Sequence, residues 1–487
     1  MQIEEFLEKE YGYNPKVKNE WKKYINLWES WYKGNETDFH NYIIYNGREE
    51  ISMKRSTLNM AKKCCEDWAD LLFNEKCTIT LADKSENDIL QSILDELNFW
   101  EFVNKSIERA GALGTGAIIL SLDNIINNGI KLNTEKVIPN LSYVDIHGIF
   151  PISWNNKKIT ECAFIDSFVD NGQKYCVMSV HIIGERGTYI IKNHLFKTDD
   201  EGNITEEIEN NSILKEFDTR SSTAWFAIIS PNSNNNKQKN SPFGLSFFAN
   251  SIDILESIDM GFDTFINEIE LSRKRIFVRD DLIDYDPDGK RHPVFHATDI
   301  AVYTLPNGMD KDDLIQSENS EIRSQALEKY LKNMLSIFSD SVGFETNFYT
   351  FDNNTAVKTA TEVISNNNKM YRRKRKHEIL LESALYDIVS CLCKALTDFA
   401  GNKLSSDGLT IKFDDSIIED TQAISNRALS EYNNGLISAI EYRQKVFGES
   451  RLLAEERYQE VLEQDKKYKA QQENTKEKEN TDTEIIW

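Results

Sequence analysis

The apolar positions recur every three or four residues through two stretches near the middle of the chain. In the first, Phe248, Ile252, Leu255, Phe262, Ile266 and Ile269 follow this spacing, with Asp259 interrupting the series. That period belongs to a helix and not to a strand. The pattern predicts a helix over 243–272, opened by Ser241-Pro242 and closed by Arg273, Lys274 and Arg275, whose charges suit a helix C-terminus. The second stretch runs from about Ser320 to Val342, with Leu327, Leu331, Met334 and Phe338 on one face and Gly343 as its stop. The connection between them is turn-rich and strand-like. The centre of the chain therefore reads as a helical hairpin capped by a small β element.

Before this centre the period changes twice. Residues 1–110 read as helical. Trp21, Ile25, Trp28 and Trp31 mark one amphipathic segment, Lys54–Phe73 a second and Glu86–Glu108 a third, with a short strand at Lys76–Leu81. From Gly111 to Ile229 alternating runs such as Ala117–Leu122, Cys162–Phe168 and Tyr175–Ile182 predict antiparallel strands. Asp170-Asn-Gly and Asp200-Glu-Gly-Asn punctuate them as turns. After Gly343 come a polar and aromatic loop, a long helix over about Thr359–Phe399, one strand at Leu409–Phe413 and short helices over Thr421–Gln464. Residues 464–487 are charged and read as a disordered tail. The fold class is α+β, mainly helical.

Length and charge narrow the functions. The chain has 487 residues, 40% of them hydrophobic, and a formal net charge of −23. It can bury real cores, but it offers no general basic surface to a nucleic acid. Seven cysteines occur, an odd number, without zinc-ligand spacing, so they read as buried free thiols in a reducing compartment. No stretch reaches the roughly 20 apolar residues of a membrane span, and the N-terminus lacks a signal-peptide core. The expectation is a soluble, cytosolic chain without membrane contact.

The candidate chemical motifs dissolve on inspection. Gly111-Ala-Leu-Gly-Thr-Gly116 follows a helix and opens a strand, the reverse of a dinucleotide loop, and lacks the Lys-Ser/Thr of a phosphate loop. Close packing of helix on strand explains it better. Asp284-Tyr-Asp-Pro-Asp-Gly289 starts like a calcium loop, but its twelfth position is Phe295 where a bidentate Glu is needed. His292 and His296 flank Pro293, which breaks a helical metal pair. No metal, cofactor or catalytic residue is expected. Lys369 and Arg372, Arg373, Lys374, Arg375 and Lys376 form the dense basic run, inside the long helix. They suit either ion pairs, within the chain or across a subunit boundary, or contact with a passing phosphate backbone.

The order of parts resembles the portal proteins of tailed bacteriophages, of the siphophage type. The resemblance rests on Phe243–Val278, where a glycine-containing entry leads into an acidic helix and then Arg-Lys-Arg-Ile-Phe-Val. It rests equally on Asn353-Asn-Thr-Ala-Val-Lys-Thr-Ala-Thr-Glu-Val-Ile and on the N-terminal Trp-Glu-Ser-Trp-Tyr-Lys-Gly. It implies a ring, usually of twelve copies, at one capsid vertex, through which double-stranded DNA is packaged and ejected. By position it implies a wing (1–242 and 359–415), stem helices (243–272 and 320–343), a clip (273–319), a tunnel loop (344–358) and a crown (416–463). Asp253, Glu256, Asp259 and Asp263 of the stem, with Asn347, Thr350, Asp352, Asn353 and Asn354 of the loop, would line the channel. Asp284, Asp286, Asp288 and Arg291 of the clip would face the terminase large subunit and head-completion or adaptor proteins. Scaffold and major capsid protein are further implied partners. The place is the virion, after assembly in the host bacterial cytoplasm. The alternatives are another ring-forming capsid or tail component, or an enzyme with an unrecognised site.

Overall fold

The computed structural model describes residues 2–34, 38–45, 47, 49–123, 137–155, 158–208, 214–272, 275–279, 302–305, 315–318, 322–350, 360–414, 421–447, 451, 454–455 and 457–462. It divides into two units. The larger comprises Met1–Asn354 with Lys369–Phe413, and the smaller Thr355–Asn368 with Asp414–Trp487.

The larger unit begins with helices α1 (Ile3–Tyr11), α2 (Lys16–Asn19) and α3 (Lys22–Lys33). The Gln2 amide donates to Glu5 at 3.0 Å, which caps the start of α1. A hairpin of β1 (Asn41–Tyr45) and β2 (Glu50–Lys54) follows, then α4 (Met60–Leu72), β3 (Thr78–Thr80), α5 (Lys84–Glu96) and α6 (Phe99–Leu113). Two expectations are corrected here. The hairpin lies inside the stretch read as helical, so α4 starts six residues later than Lys54. The helix expected over 86–108 is two helices, broken where Asn98 takes a left-handed φ of 48°.

Two antiparallel sheets make the β region. One has the order β12 (Phe226–Ile229), β4 (Gly116–Asp123), β5 (Ile138–Asp145). The other runs β10 (Ile204–Glu207), β9 (Tyr189–Thr198), β8 (Gln173–Ile183), β7 (Lys158–Asp170), β6 (Ile149–Asn155), with β11 (Glu216–Asp218) on β9. The β7–β8 turn is Asn171-Gly172, both with positive φ, the two-residue geometry that matches strand twist. Alternate residues Cys176, Met178 and Val180 of β8 bury against Phe6, Leu7, Tyr13 and Phe150, so α1 covers one face of the sheet. Lys18 pins α2 to this sheet. Its Nζ donates to the carbonyls of His147 at 2.5 Å and Ile149 at 3.1 Å and lies 3.4 Å from the centre of the Phe150 ring.

The central helices are α7 (Ile252–Leu271) and α8 (Ser324–Val342), packed together. Between them β13 (Arg275–Arg279) pairs parallel to β14 (Val302–Leu305) and antiparallel to β15 (Ile315–Glu318). The first helix starts nine residues after Phe243. Residues 243–251 form turns instead, because Phe247 donates to the Gly111 carbonyl at 2.9 Å and Gly244 accepts no side chain. A Cβ on Gly244 would stand 2.4 Å from the Gly114 carbonyl oxygen, and one on Gly114, at φ 83°, 2.5 Å from the Gly244 carbonyl oxygen. Gly111–Gly116 thus serves close backbone packing, as its topology suggested. Arg275, expected to close the first helix, opens a strand instead. The buried stripe of α8 is Leu331, Leu335, Phe338 and Val342, which keeps Leu331 and Phe338 of the expected stripe and takes Leu335 in place of Met334, and Gly343 ends it.

Helix α9 (Ala360–Ala395) continues into a π-turn over Leu396–Ala400, and β16 (Thr410–Lys412) pairs with β3. All seven cysteines are buried and none forms a disulfide, as expected.

The smaller unit contains α10 (Thr421–Asn433) and α11 (Ala439–Phe447), an antiparallel pair turned at Asn434-Gly435. Glu431 joins them through Arg427 at 3.1 Å and Lys445 at 2.8 Å, and Tyr432 meets Tyr442 at 5.6 Å. Leu429, Leu436 and Phe447 stay exposed.

Candidate channel and docking surfaces

The four acidic positions of α7 divide into two kinds. Asp253 is exposed in the first turn. Glu256 is half-buried, and its carboxyl is raised above the usual range by burial and by the neighbouring Asp253 charge. Asp259 and Asp263 are buried, at 3% and 9% exposure, and are taken by donors of the chain itself. Asp259 accepts from the Leu58 amide at 3.0 Å and the Thr57 hydroxyl at 2.7 Å, and meets His40 Nε2 at 3.0 Å. Asp263 accepts from the Ser56 amide at 2.9 Å and from Asn267 at 3.0 Å. The expectation that both line an open channel is therefore corrected. A buried carboxylate needs donors, and the segment after β2 supplies them. Sequence reasoning missed His40, Ser56, Thr57 and Leu58, whose only connection to α7 is spatial.

The α7–α8 pair is tied along its length. Arg323 pairs with Glu268, the Tyr330 hydroxyl donates to the Ser257 carbonyl at 3.2 Å, and Ser251 meets Ser341 at 2.9 Å. Tyr330 and Leu331 also pack on Gly261, where a Cβ would meet the Tyr330 ring at 2.5 Å. Met260, Ile269 and Ile337 remain exposed on the pair.

After α8 the chain turns on an aromatic root. Phe344 stacks on Trp68 and Phe348, and Tyr349 packs against Phe338 and Phe344. Asn347 is exposed, and its carbonyl accepts from the Thr350 amide and hydroxyl at 3.3 and 2.9 Å. Asp352, Asn353 and Asn354 lie outside the described residues, as do Asp284, Asp286, Asp288 and Arg291, His292 and His296.

The basic run of α9 also divides. Arg372 is exposed. Arg373 lies along Gly343 and reaches the Ser341 carbonyl at 3.4 Å. Lys374 is buried with Glu378, at 1% and 3% side-chain exposure, and forms an ion pair with it. Of the alternatives read from the sequence for this residue, the ion pair within the chain is the one formed here. Arg375 stands 3.5 Å from the same Glu378, and the Lys376 carbonyl accepts from Asn232 at 2.5 Å. Lys369 pairs with Asp340 of α8. Lys369, Lys374 and Arg375 thus form ion pairs within the chain, whereas Arg372 stays exposed. His377 follows, its Nδ1 accepting from the Asn232 amide at 3.0 Å; burial, with Arg373 and Lys376 nearby, holds its pKa down to about 3.

Among the described residues no cluster of metal-binding side chains occurs and no helix is long and apolar enough to cross a membrane.

Residues 15–478 match the sequence pattern of the family described as Phage portal protein, SPP1 Gp6-like. The chain therefore belongs to the phage portal proteins, the head–tail connectors of phage particles. Two solved structures are similar to it: the neck of a native gene transfer agent particle computed with C12 symmetry, and the virion of that native particle. Each is 10% identical, with 79% of this chain and 88% of the other covered, at a TM-score of 0.35. No curated protein sequence matches the chain.

Proposed function

We propose that the chain assembles into a homo-oligomeric ring, of twelve copies, at a capsid vertex, and that double-stranded DNA passes through the ring during packaging and ejection. The family match over 15–478 carries this reading. The physical chemistry agrees with it. Met260, Ile269 and Ile337 leave apolar surface uncovered on the α7–α8 pair, and a neighbouring copy would cover it. A net charge of −23 per chain repels phosphate, which suits a passage that DNA slides through. A basic sleeve would hold DNA by counter-ion release.

The clip strands β13–β15 are the proposed docking platform for the terminase large subunit and then for head-completion proteins, and the wing for scaffold and major capsid protein. The ring itself turns over no nucleotide, since the chain carries no Walker motif. The place is the virion, with assembly in the bacterial cytoplasm. Light scattering coupled to size exclusion tests the ring: a species near twelve chains of 56.3 kDa, about 680 kDa, is expected. A stable monomer or dimer at micromolar concentration sinks the reading. Electron microscopy of the same fraction separates a ring with a central hole from any other assembly.

A further inference from the structure

The two buried carboxylates of α7 are one turn apart on one face, and between them they hold three consecutive residues of another segment. Asp259 takes Leu58 and Thr57, Asp263 takes Ser56, and His40 closes the set against Asp259. His40 stands just before β1 and Ser56–Leu58 follow β2, so the two carboxylates hold both legs of the β1–β2 hairpin. Arg55 follows β2 and donates its amide to the His40 carbonyl at 2.8 Å, just before β1. Its guanidinium bonds the Phe39 carbonyl and lies 4.5 and 4.4 Å from the Phe39 and Tyr42 rings. His40 is fully buried against Trp31, with ring centres 4.9 Å apart.

Beyond this root the hairpin has little to hold it. Its strands pair only with each other among the described residues, and Ile43 and Tyr45 are 65% and 70% exposed. A two-stranded ribbon is marginal in water by itself, so its root decides where it points. We propose that Asp259 and Asp263 form the joint that sets the direction of the β1–β2 arm relative to the stem helix, and that Asp259 is a positioning residue of the portal. The geometry separates this role from that of a channel charge. Asp259 spends one oxygen on Leu58 and the other on Thr57 and His40, whereas Asp253 on the same helix stays open to solvent. Charge-assisted bonds to two backbone amides fix a segment's path, not only its proximity.

Hydrogen exchange in the full-length protein tests the joint, using Asp259→Asn, Asp259→Leu, Thr57→Val and Asp253→Asn. Asparagine keeps a carbonyl oxygen for the Leu58 amide and removes the charge, while leucine removes both. With leucine, the amides of residues 55–59 and of both hairpin strands exchange at least about tenfold faster, while β7 and β8 exchange as before. With asparagine the increase is about threefold or less, and Thr57→Val falls between. Asp253→Asn leaves the arm unchanged. A channel-charge role predicts instead that Asp259→Asn and Asp253→Asn reduce packaged DNA as Asp259→Leu does, with exchange at 55–59 unaltered; that outcome overturns the joint. A uniform rise in exchange across the larger unit also overturns it, because Asp259 would then support only stability. If Asp259→Leu does not fold, Thr57→Val decides: unchanged exchange at 55–59 in that variant rejects the proposal. Exchange at 55–59 reads one chain's own bonds, so failure of the ring and failure of the joint are separate results.

Discussion

Helices α7 and α9 each carry a charge run, one acidic and one basic. In both, the charges nearest the helix centre of the described contacts are internal. Asp259 and Asp263 are hydrogen-bonded by amides, a hydroxyl and a histidine about 200 positions earlier. Lys374 is neutralised by a carboxylate one turn along its own helix. The difference lies in reach. A basic side chain at i finds its partner at i+4 from the local geometry alone. Asp259 finds its donors only by tertiary contact, and Asp263 adds the Ser56 amide to its one local partner, Asn267. Local pairing holds Lys374 and Arg375 to Glu378 within α9, while Asp259 and Asp263 couple distant parts of the fold.

Replacing Lys374 is the largest test of that contrast. Lys374→Met removes the buried partner of Glu378 and leaves only the exposed Arg375 near it, and is expected to destabilise the larger unit by about 3 kcal/mol. Adding Glu378→Leu should recover most of the loss, and thermal unfolding of the single and double variants reads both. An additive loss would show that the pair is not the local unit described. Next in size is Lys18, a buried cation held by carbonyls with no carboxylate in contact. Burial lowers its pKa from 10.5 to about 7. Below pH 7 the lysine is charged in both states and the folded protein bears the full cost of burying it. Between about pH 7 and 10.5 the unfolded chain holds the proton and the folded chain does not, so stability rises with pH by up to about 1.4 kcal/mol per unit. Lys18→Met should flatten that rise, and melting temperatures across this window check the sign. The smallest effects belong to Arg372→Ala and Asp253→Asn, each within about 0.5 kcal/mol, because both side chains are exposed. A larger shift in either, seen only in the assembled ring, would place that residue at a subunit contact.

The contrast also explains what could be read from the chain beforehand. The α8 helix was legible because a strong three- and four-residue period ends at Gly343, and its stop needs no partner. The β7–β8 turn was legible for the same reason, since Asn171-Gly172 carries its own geometry. The start of α7 was not. Ser241-Pro242 is a fair start signal, but Phe247 and Gly244 pack on α6, and tertiary contact overrides the local preference. The β1–β2 hairpin was hidden because Asn41–Tyr45 carries apolar residues on both faces, while the alternation of Glu50–Lys54 spans only five residues. At the candidate site, spacing alone marked Asp259 as a break in an apolar stripe. The donors that explain the break lie around residue 57, and nothing in the spacing points to them. Lys374 differs from its neighbours only by the face it occupies, which a continuous run of six charges in eight residues conceals.

The joint at Asp259 has a consequence for the order in which the chain is made. His40 and Asp259 are 219 positions apart, and Trp68 donates to the Val342 carbonyl across 274. At about 5–20 residues per second, the hairpin and its histidine emerge roughly 10–45 seconds before the aspartate that receives them. During that interval α3 can already pack on α4 and α6, but the hairpin and the segment 55–59 lack the carboxylates that hold them. Closure of the proposed joint therefore waits until the middle of the chain has been made, and α7 is the element that completes the root of the hairpin.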